Sequence, residues 1–324
     1  MKYRMLANSL LLAGGFFSQT AFAESCGAKY LTAIEFIGPA AHSATSAQTP
    51  AAYRVWHNGQ TRLLINAGPG SINSLMNDPV LSSEVDAIIL TRLRLEQTAD
   101  LPLLVSKARE QGRKSAMAIY GPTGSKFMAS TVSLVRSLFD EKRGSYRYLG
   151  EVLSPLGNRS YKLQAFDINS NKNKGLVKKE KPIEGVATIY DKNGLSVKAI
   201  NTGNKRLPSI ALRIDSKDAG IMIIDAPAVD SSSLELLAKG SQLLIAHLGQ
   251  QNHTPGSNTL TASDAGRLAY RSQARQLYIS YQHPADNDQQ ARDMAIIKNK
   301  FAGLTGFSQS GKCLPLAEKT RIGK

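Results

Sequence analysis

Cysteine is nearly absent from this 324-residue chain: there are two, Cys26 and Cys313. That count excludes a disulfide-dense scaffold and a cysteine-rich zinc module, and permits at most one bridge. Histidine is also scarce, at five, and aromatic residues make up 6%. Beyond the N-terminus no apolar run approaches the roughly 20 residues that a membrane-spanning helix needs. No G-x-S-x-G elbow is present, so the usual strained-turn serine nucleophile is missing. Helix-turn-helix, zinc-finger and aromatic-interleaved basic patterns are missing too, so no DNA-binding motif is present. Acidic residues are the minority, 25 against 40 Lys and Arg, for a net charge of +15. Such an excess speaks to anionic partners and solubility rather than to fold. What remains is 42% hydrophobic and 20% charged. Those fractions exclude a disordered chain, a collagen and a coiled coil, and leave a globular one.

Residues 1–23 read as a leader. Lys2 and Arg4 precede the apolar run 10–17, and Ala21-Phe22-Ala23 offers an A-x-A cleavage site. Glu24 breaks any lipobox before Cys26. The expectation is a periplasmic or secreted protein with one domain over 24–324. Losing Lys2 and Arg4 lowers the charge from +15 to +13. In an oxidising compartment a Cys26–Cys313 bridge would tie the two ends of the domain together, the alternative being two free thiols.

Short apolar runs alternate with amphipathic stretches. Asn58-Gly59 between 53–56 and 62–65 signals a hairpin. Strands are expected at 85–90, 116–120, 195–200, 210–214, 221–224, 243–246 and 277–280. Helices are expected at 101–110, 125–139, 262–271 (capped by Thr261 or Ser263) and 289–301. Residues 167–182 form a polar basic loop or exposed hairpin with Lys172, Lys174, Lys178, Lys179 and Lys181 against Glu180. It is either a solvated loop or a contact for an anionic surface. This order predicts an α/β sandwich, two mixed sheets covered by helices.

Three places look like parts of a site. Asn66-Ala67-Gly68-Pro69-Gly70-Ser71 follows a strand; its glycines let backbone amides approach a ligand or simply make a tight turn. Residues 90–102 (LTRLRLEQTADLP) sit at a strand's C-terminal end, where open α/β folds bind ligands. Asp225 ends the apolar strand before Ala226-Pro227.

Together these segments resemble the metallo-β-lactamase superfamily, most nearly its ribonuclease Z and arylsulfatase-like branch. Asn66 to Ser71 fills the family's D-x-G-x-G turn. Leu90, Thr91, Asp100, Leu101 and Pro102 frame its L-T-H-x-H-x-D-H-x-x-D-L-P signature. Tyr120 to Gly124 is similar to its Y-G-P-x-G turn, Pro208 to Arg213 to P-x-L-A-Y-R, Thr259 to Ala262 to H-L-T-A, and Leu277 to Tyr281 to its last strand. The resemblance spans residues 30–290 and implies an αββα sandwich. It also implies two zinc ions on histidines and acids, since metals lower the pKa of a bridging water.

Most of those ligands are replaced. The histidine positions of the signature hold Arg92, Arg94 and Gln97, and its aspartate is Glu96. Further histidine positions hold Asn204, Thr259 and Tyr281, and the acid of the opening turn is Asn66. Only the bridging acid remains, as Asp225. Arginine stays protonated and cannot ligate zinc. The expectation is therefore a degenerate di-zinc site, no cofactor, and a pseudoenzyme that binds an anionic ligand or partner in the old cleft. The ligand set would be Asn66, Arg92, Arg94, Glu96, Gln97, Asn204, Asp225, Thr259 and Tyr281. The arginines either pair with Asp225 and Glu96 and plug the cleft, or form an anion pocket. The alternative function is hydrolysis of phosphate or sulfate esters at an altered site. That would use Asp225, Tyr281 and His283 as catalytic candidates, or one metal on Asp225, His247 and His283. His253 is a further loop histidine, and His42 and His57 are expected to be exposed.

Overall fold

The computed structural model describes residues 26–38, 52–76, 78–154, 156, 160–169, 183–226, 231–249, 259–281 and 285–318. The leader, His42, His253, His283 and residues 170–182 lie outside them.

The first half opens with a short helix α1 (Cys26–Lys29) and strands β1 (Tyr30–Ile37), β2 (Ala52–His57) and β3 (Gln60–Ile65). It continues through α2 (Val80–Ser83), β4 (Ala87–Ile89), α3 (Leu95–Thr98), α4 (Leu101–Glu110), β5 (Met117–Pro122), α5 (Thr131–Phe139) and β6 (Leu163–Ile168). The second half runs β7 (Val186–Lys192), β8 (Leu195–Gly203), β9 (Pro208–Asp215), β10 (Gly220–Ile224), α6 (Ser231–Ala238), β11 (Leu243–Leu248), α7 (Ala262–Arg271), β12 (Gln276–Tyr281), α8 (Asn287–Lys298), β13 (Leu304–Phe307) and β14 (Cys313–Glu318).

The strands form two seven-stranded sheets, β14-β1-β2-β3-β4-β5-β6 and β13-β12-β11-β10-β9-β8-β7. Both mix parallel and antiparallel pairs, as a helix-covered sandwich of this kind should. In β10, Ile221 and Ile223 face the other sheet while Met222 and Ile224 face the helices. Both faces are covered, so the strand reads as an unbroken apolar run. The central core joins Ile34, Phe36, Val55 and Ile65 of the first sheet to Leu212, Ile223, Ile245 and Tyr278 of the second. Outer layers pack α4 on the first sheet and α7 and α8 on the second.

Two hairpins turn on Asn-Gly pairs with left-handed backbone at both residues: Asn58-Gly59 (φ 53° and 80°) and Asn193-Gly194 (φ 56° and 78°). That geometry is the primed turn that matches strand twist. Helix α4 covers the expected span, and α7 is held by a Thr261–Asp264 capping box. Helix α5 begins at Thr131 rather than at 125. The Ser125 hydroxyl instead accepts the Phe127 and Met128 amides in a separate turn. The polar stretch expected from 167 begins inside β6. The chain's ends are stapled by a Cys26–Cys313 disulfide joining α1 to β14, with Cα atoms 5.8 Å apart.

Candidate functional site

Strands β3, β4 and β5 are parallel neighbours, as are β10 and β11, so the segments that follow them gather at strand C-terminal ends. The sheets are tied together there, because the Ile210 amide donates to the Thr91 carbonyl at 2.9 Å.

Asn66 adopts a left-handed backbone (φ 63°), which its short amide side chain tolerates. Its Oδ1 accepts the Thr91 amide at 2.8 Å and lies 2.9 Å from the Thr91 hydroxyl. That hydroxyl also donates to Asp225 Oδ2. The glycine turn after Asn66 is tied to the signature segment. The Ala67 amide donates to the Gln97 carbonyl at 2.7 Å, and Asp100 accepts the Ile72 amide at 3.0 Å. Those amides therefore serve the turn.

Asp225 is buried at the end of β10, and its carboxylate meets both the Thr91 hydroxyl and His247 Nδ1. His247 is one strand away on β11; its Nε2 meets the hydroxyl of Tyr53, which reaches across from β2 of the opposite sheet. Burial and then the Arg92 charge hold the His247 imidazole well below its usual range, at about 3. The neutral ring fits both contacts, with Nδ1–H donating to Asp225 and Nε2 accepting from Tyr53. Burial in turn pushes the Tyr53 phenol upward, so it remains a donor.

Arg92 is 2% exposed, and its guanidinium donates to the main-chain carbonyl of Asp225. Burial, then the charge of Arg94, lower its pKa to about 9, with Glu96 opposing. Arg94 diverges from Arg92 because it is the N-cap residue of α3, where the chain turns. It is half-buried and pairs with Glu96 at 2.9 Å. Gln97 is buried in α3.

The remaining expected members separate from this group. Tyr281 faces the helices rather than the other sheet, and its hydroxyl donates to Asp293 of α8 at 3.0 Å. Asn204 is exposed, and its Oδ1 accepts the Arg206 and Leu207 amides of its own loop, each at 2.9 Å. Thr259 lies beside Gly249, whose bare Cα makes room for it. His57, expected on the surface, is buried and lies 2.9 Å through Nδ1 from the Thr32 hydroxyl. Sequence reasoning missed Tyr53, whose role depends on a contact 194 residues away.

The described residues hold no group of three or more His, Cys, Asp and Glu able to share a metal ion. The donor chemistry explains why a zinc pair does not fit. Arg92 has no lone pair to offer, both nitrogens of His247 are engaged, and the Asp225 carboxylate is already shared.

Several solved structures match across most of the chain. A protein described as metallo-β-lactamase fold, YhfI from Bacillus subtilis, superposes with a TM-score of 0.58 and 18% identity, over 87% of this chain and 98% of its own. The fold is therefore the metallo-β-lactamase fold. Human tRNase Z, short form, gives 0.58 and 17% identity over 88% of this chain and 99% of its own. The long form of RNase Z from yeast gives 0.55 and 11%, over 91% of this chain and 43% of its own. At those identities the metallo-β-lactamase likeness carries architecture and no activity. No protein-family profile matches the chain, and no curated protein does. No helix of the described residues is long and apolar enough to cross a membrane.

Proposed function

We propose that this is an exported, non-catalytic protein on the metallo-β-lactamase fold, acting by binding rather than turnover. A hydrogen-bonded plug of Arg92, Asp225, His247 and Tyr53 stands where relatives of this fold would carry metal. The carrying observation is the internal engagement of those side chains: Arg92 is buried on the Asp225 carbonyl, and Asp225 and His247 serve one another. Chemistry available to an incoming ligand then falls to other side chains. Half-buried Arg94, which pairs with Glu96, and exposed Lys126, Lys205 and Arg206 are cationic side chains of the segments that follow β4, β5 and β8. The last three of these are held together by the Ser125 hydroxyl donating to the Arg206 carbonyl at 2.9 Å and by Arg206 stacked 4.7 Å over Phe127. An anionic ligand or partner suits them.

Elemental analysis after incubation with zinc, combined with phosphodiester and sulfate-ester turnover, tests the first half. We expect substoichiometric metal and no turnover above the Asp225→Ala variant. One tightly held zinc per chain, with turnover that Asp225→Ala abolishes, would overturn it. Thermal shift with inorganic phosphate, sulfate and nucleotides tests the second half. We expect a rise in Tm at millimolar ligand that Arg94→Ala diminishes; no shift for any of them removes the anion-binding reading.

A further inference from the structure

Two loops meet where β5 and β8 end: residues 123–128, and residues 204–207 on the way to β9. Both come from stretches without acid. No Asp or Glu occurs between Glu110 and Asp140 or between Asp191 and Asp215. Lys126, Lys205 and Arg206 are all exposed, and among the described residues none of them pairs with a carboxylate. A cationic face of this kind is complementary to an anionic partner.

The same loops hold an aromatic ring in solvent: Phe127 is 62% exposed. Ser125 fixes the turn that presents it. Its amide donates to the Met128 carbonyl at 2.9 Å, and its hydroxyl accepts the Phe127 and Met128 amides, each at 3.1 Å. That hydroxyl also donates to the Arg206 carbonyl, which ties the two loops together. Gly124 lets the turn close tightly, since a Cβ there would lie 2.7 Å from the Ser130 nitrogen. The Arg206 guanidinium lies 4.7 Å from the Phe127 ring centroid, so cation and ring are presented side by side.

We propose that this pair of loops docks the protein on an anionic lipid bilayer, with the Phe127 ring at the boundary of headgroups and acyl chains and Lys126, Lys205 and Arg206 level with the lipid phosphates. The inference rests on the reading that these cations meet an anion, and it commits that anion to a membrane surface. A small soluble ligand is held in a recess that buries most of its surface. Here the ring and all three cations are exposed together, which offers a face rather than a recess. An apolar side chain among basic ones suits the bilayer interface, where burial of the ring and attraction to anionic lipid act together. Single-stranded nucleic acid is instead gripped by several aromatic platforms that stack successive bases. Phe127 is the one aromatic residue of these two loops, and Arg206 lies over it. Each basic residue near the surface raises partitioning about fivefold, so the three together raise it roughly 100-fold. The result is a reversible attachment that salt weakens by screening.

The test is flotation of the mature chain with vesicles of phosphatidylcholine alone, and with phosphatidylglycerol added, at low and raised salt. We expect binding to the mixed vesicles only, weakened by salt. The triple variant Lys126→Gln, Lys205→Gln, Arg206→Gln should lower partitioning roughly 100-fold. Phe127→Ser should lower it at unchanged Tm. Insertion is read with Phe127→Trp, which also serves if Phe127→Ser folds poorly. The single native tryptophan, Trp56, is buried, so a blue shift on adding mixed vesicles reports the new side chain. No binding to mixed vesicles at low salt overturns the proposal, as does binding that the triple variant retains in full. An unshifted emission from bound Phe127→Trp protein overturns it too. So does loss of binding only when Lys172, Lys174, Lys178, Lys179 and Lys181 become glutamine. Tighter binding to a single-stranded oligonucleotide than to mixed vesicles, lost in the same loop variants, assigns the face to nucleic acid and overturns the membrane. If phosphate, sulfate or nucleotides raise Tm while vesicles do not bind, this inference falls and the anion-binding reading stands; if neither acts, both fall.

Discussion

Replacing Arg92 with methionine should make the protein more stable. Lowering the guanidinium pKa from 12.5 to about 9 means that the charged form is disfavoured by about 5 kcal/mol in the folded state. Burial is the main cause and the neighbouring Arg94 charge the second. Methionine removes that penalty while keeping much of the side chain's length and apolar stem. It also removes a charge-assisted hydrogen bond to the Asp225 carbonyl, worth about 2–3 kcal/mol. The difference leaves the variant about 2 kcal/mol more stable at neutral pH, in line with buried ion sites that gain from apolar replacement. Urea unfolding followed by circular dichroism measures it. The pH dependence provides an independent check. The folded pKa is depressed, so between pH 9 and 12.5 the unfolded chain holds more protons than the folded one. Wild-type stability relative to Arg92→Met therefore rises through that window, by about 1.4 kcal/mol per pH unit at most. A variant less stable than wild type by more than about 1 kcal/mol would refute the reasoning. It would mean that the guanidinium is a needed counter-charge for Asp225, whose unpaired burial is costly.

His247 gives a second titration. Its folded pKa is held at about 3 against an ordinary 6.5, so its stabilising contribution is present above pH 6.5 and is lost as pH falls toward 3. Relative to His247→Gln, wild type should lose roughly 3–4 kcal/mol across that window. Parallel unfolding curves for the two proteins would contradict the buried neutral imidazole set between Asp225, Tyr53 and Arg92. Replacing Cys26 and Cys313 together by serine should cost about 2–5 kcal/mol, measured as a lowered urea midpoint. Hydrogen exchange should then rise first in α1 and β14; faster exchange beginning in β10 or β11 instead would show that the staple does not govern the edge. Replacing Arg113 with alanine should cost more than about 3 kcal/mol by thermal unfolding. Its buried guanidinium satisfies the Leu81, Val85, Ser115 and Ala116 carbonyls at 2.7–3.0 Å. An unchanged Tm would mean water replaces it.

Much of the architecture was legible because it rests on local patterns. The capping signals of α7, the apolar run of β10 and the Asn58-Gly59 turn each act within a few residues. The second Asn-Gly turn, at 193–194, carries the same local signal. The outer strands β6, β7, β13 and β14 were missed for a different reason. Edge strands are half-covered, so their apolar pattern is diluted: β13 mixes one exposed with three half-buried positions. Helix α6 follows Asp225-Ala226, a stretch read as site rather than as a connection.

The site divides along the same line. The replaced positions can be counted in sequence, and opposite charge alone makes Arg92 and Asp225 possible partners. Their i, i+2 spacing put both arginines on one floor, as it would in an extended strand. The strand ends at Ile89, however, and α3 begins at Leu95, so the backbone rotates between the two arginines. One turns in to the Asp225 carbonyl and the other out to Glu96. Tyr53 and His247 were beyond sequence reasoning as a pair, since neither belongs to a motif and they meet only when β2 lies over β11. A lost metal site leaves a buried acid that needs hydrogen-bond donors from somewhere. Here one donor comes from each sheet, Thr91 from the first and His247 from the second. The plug therefore also fastens the sheets together, and a change that restored an open cleft would have to replace that fastening.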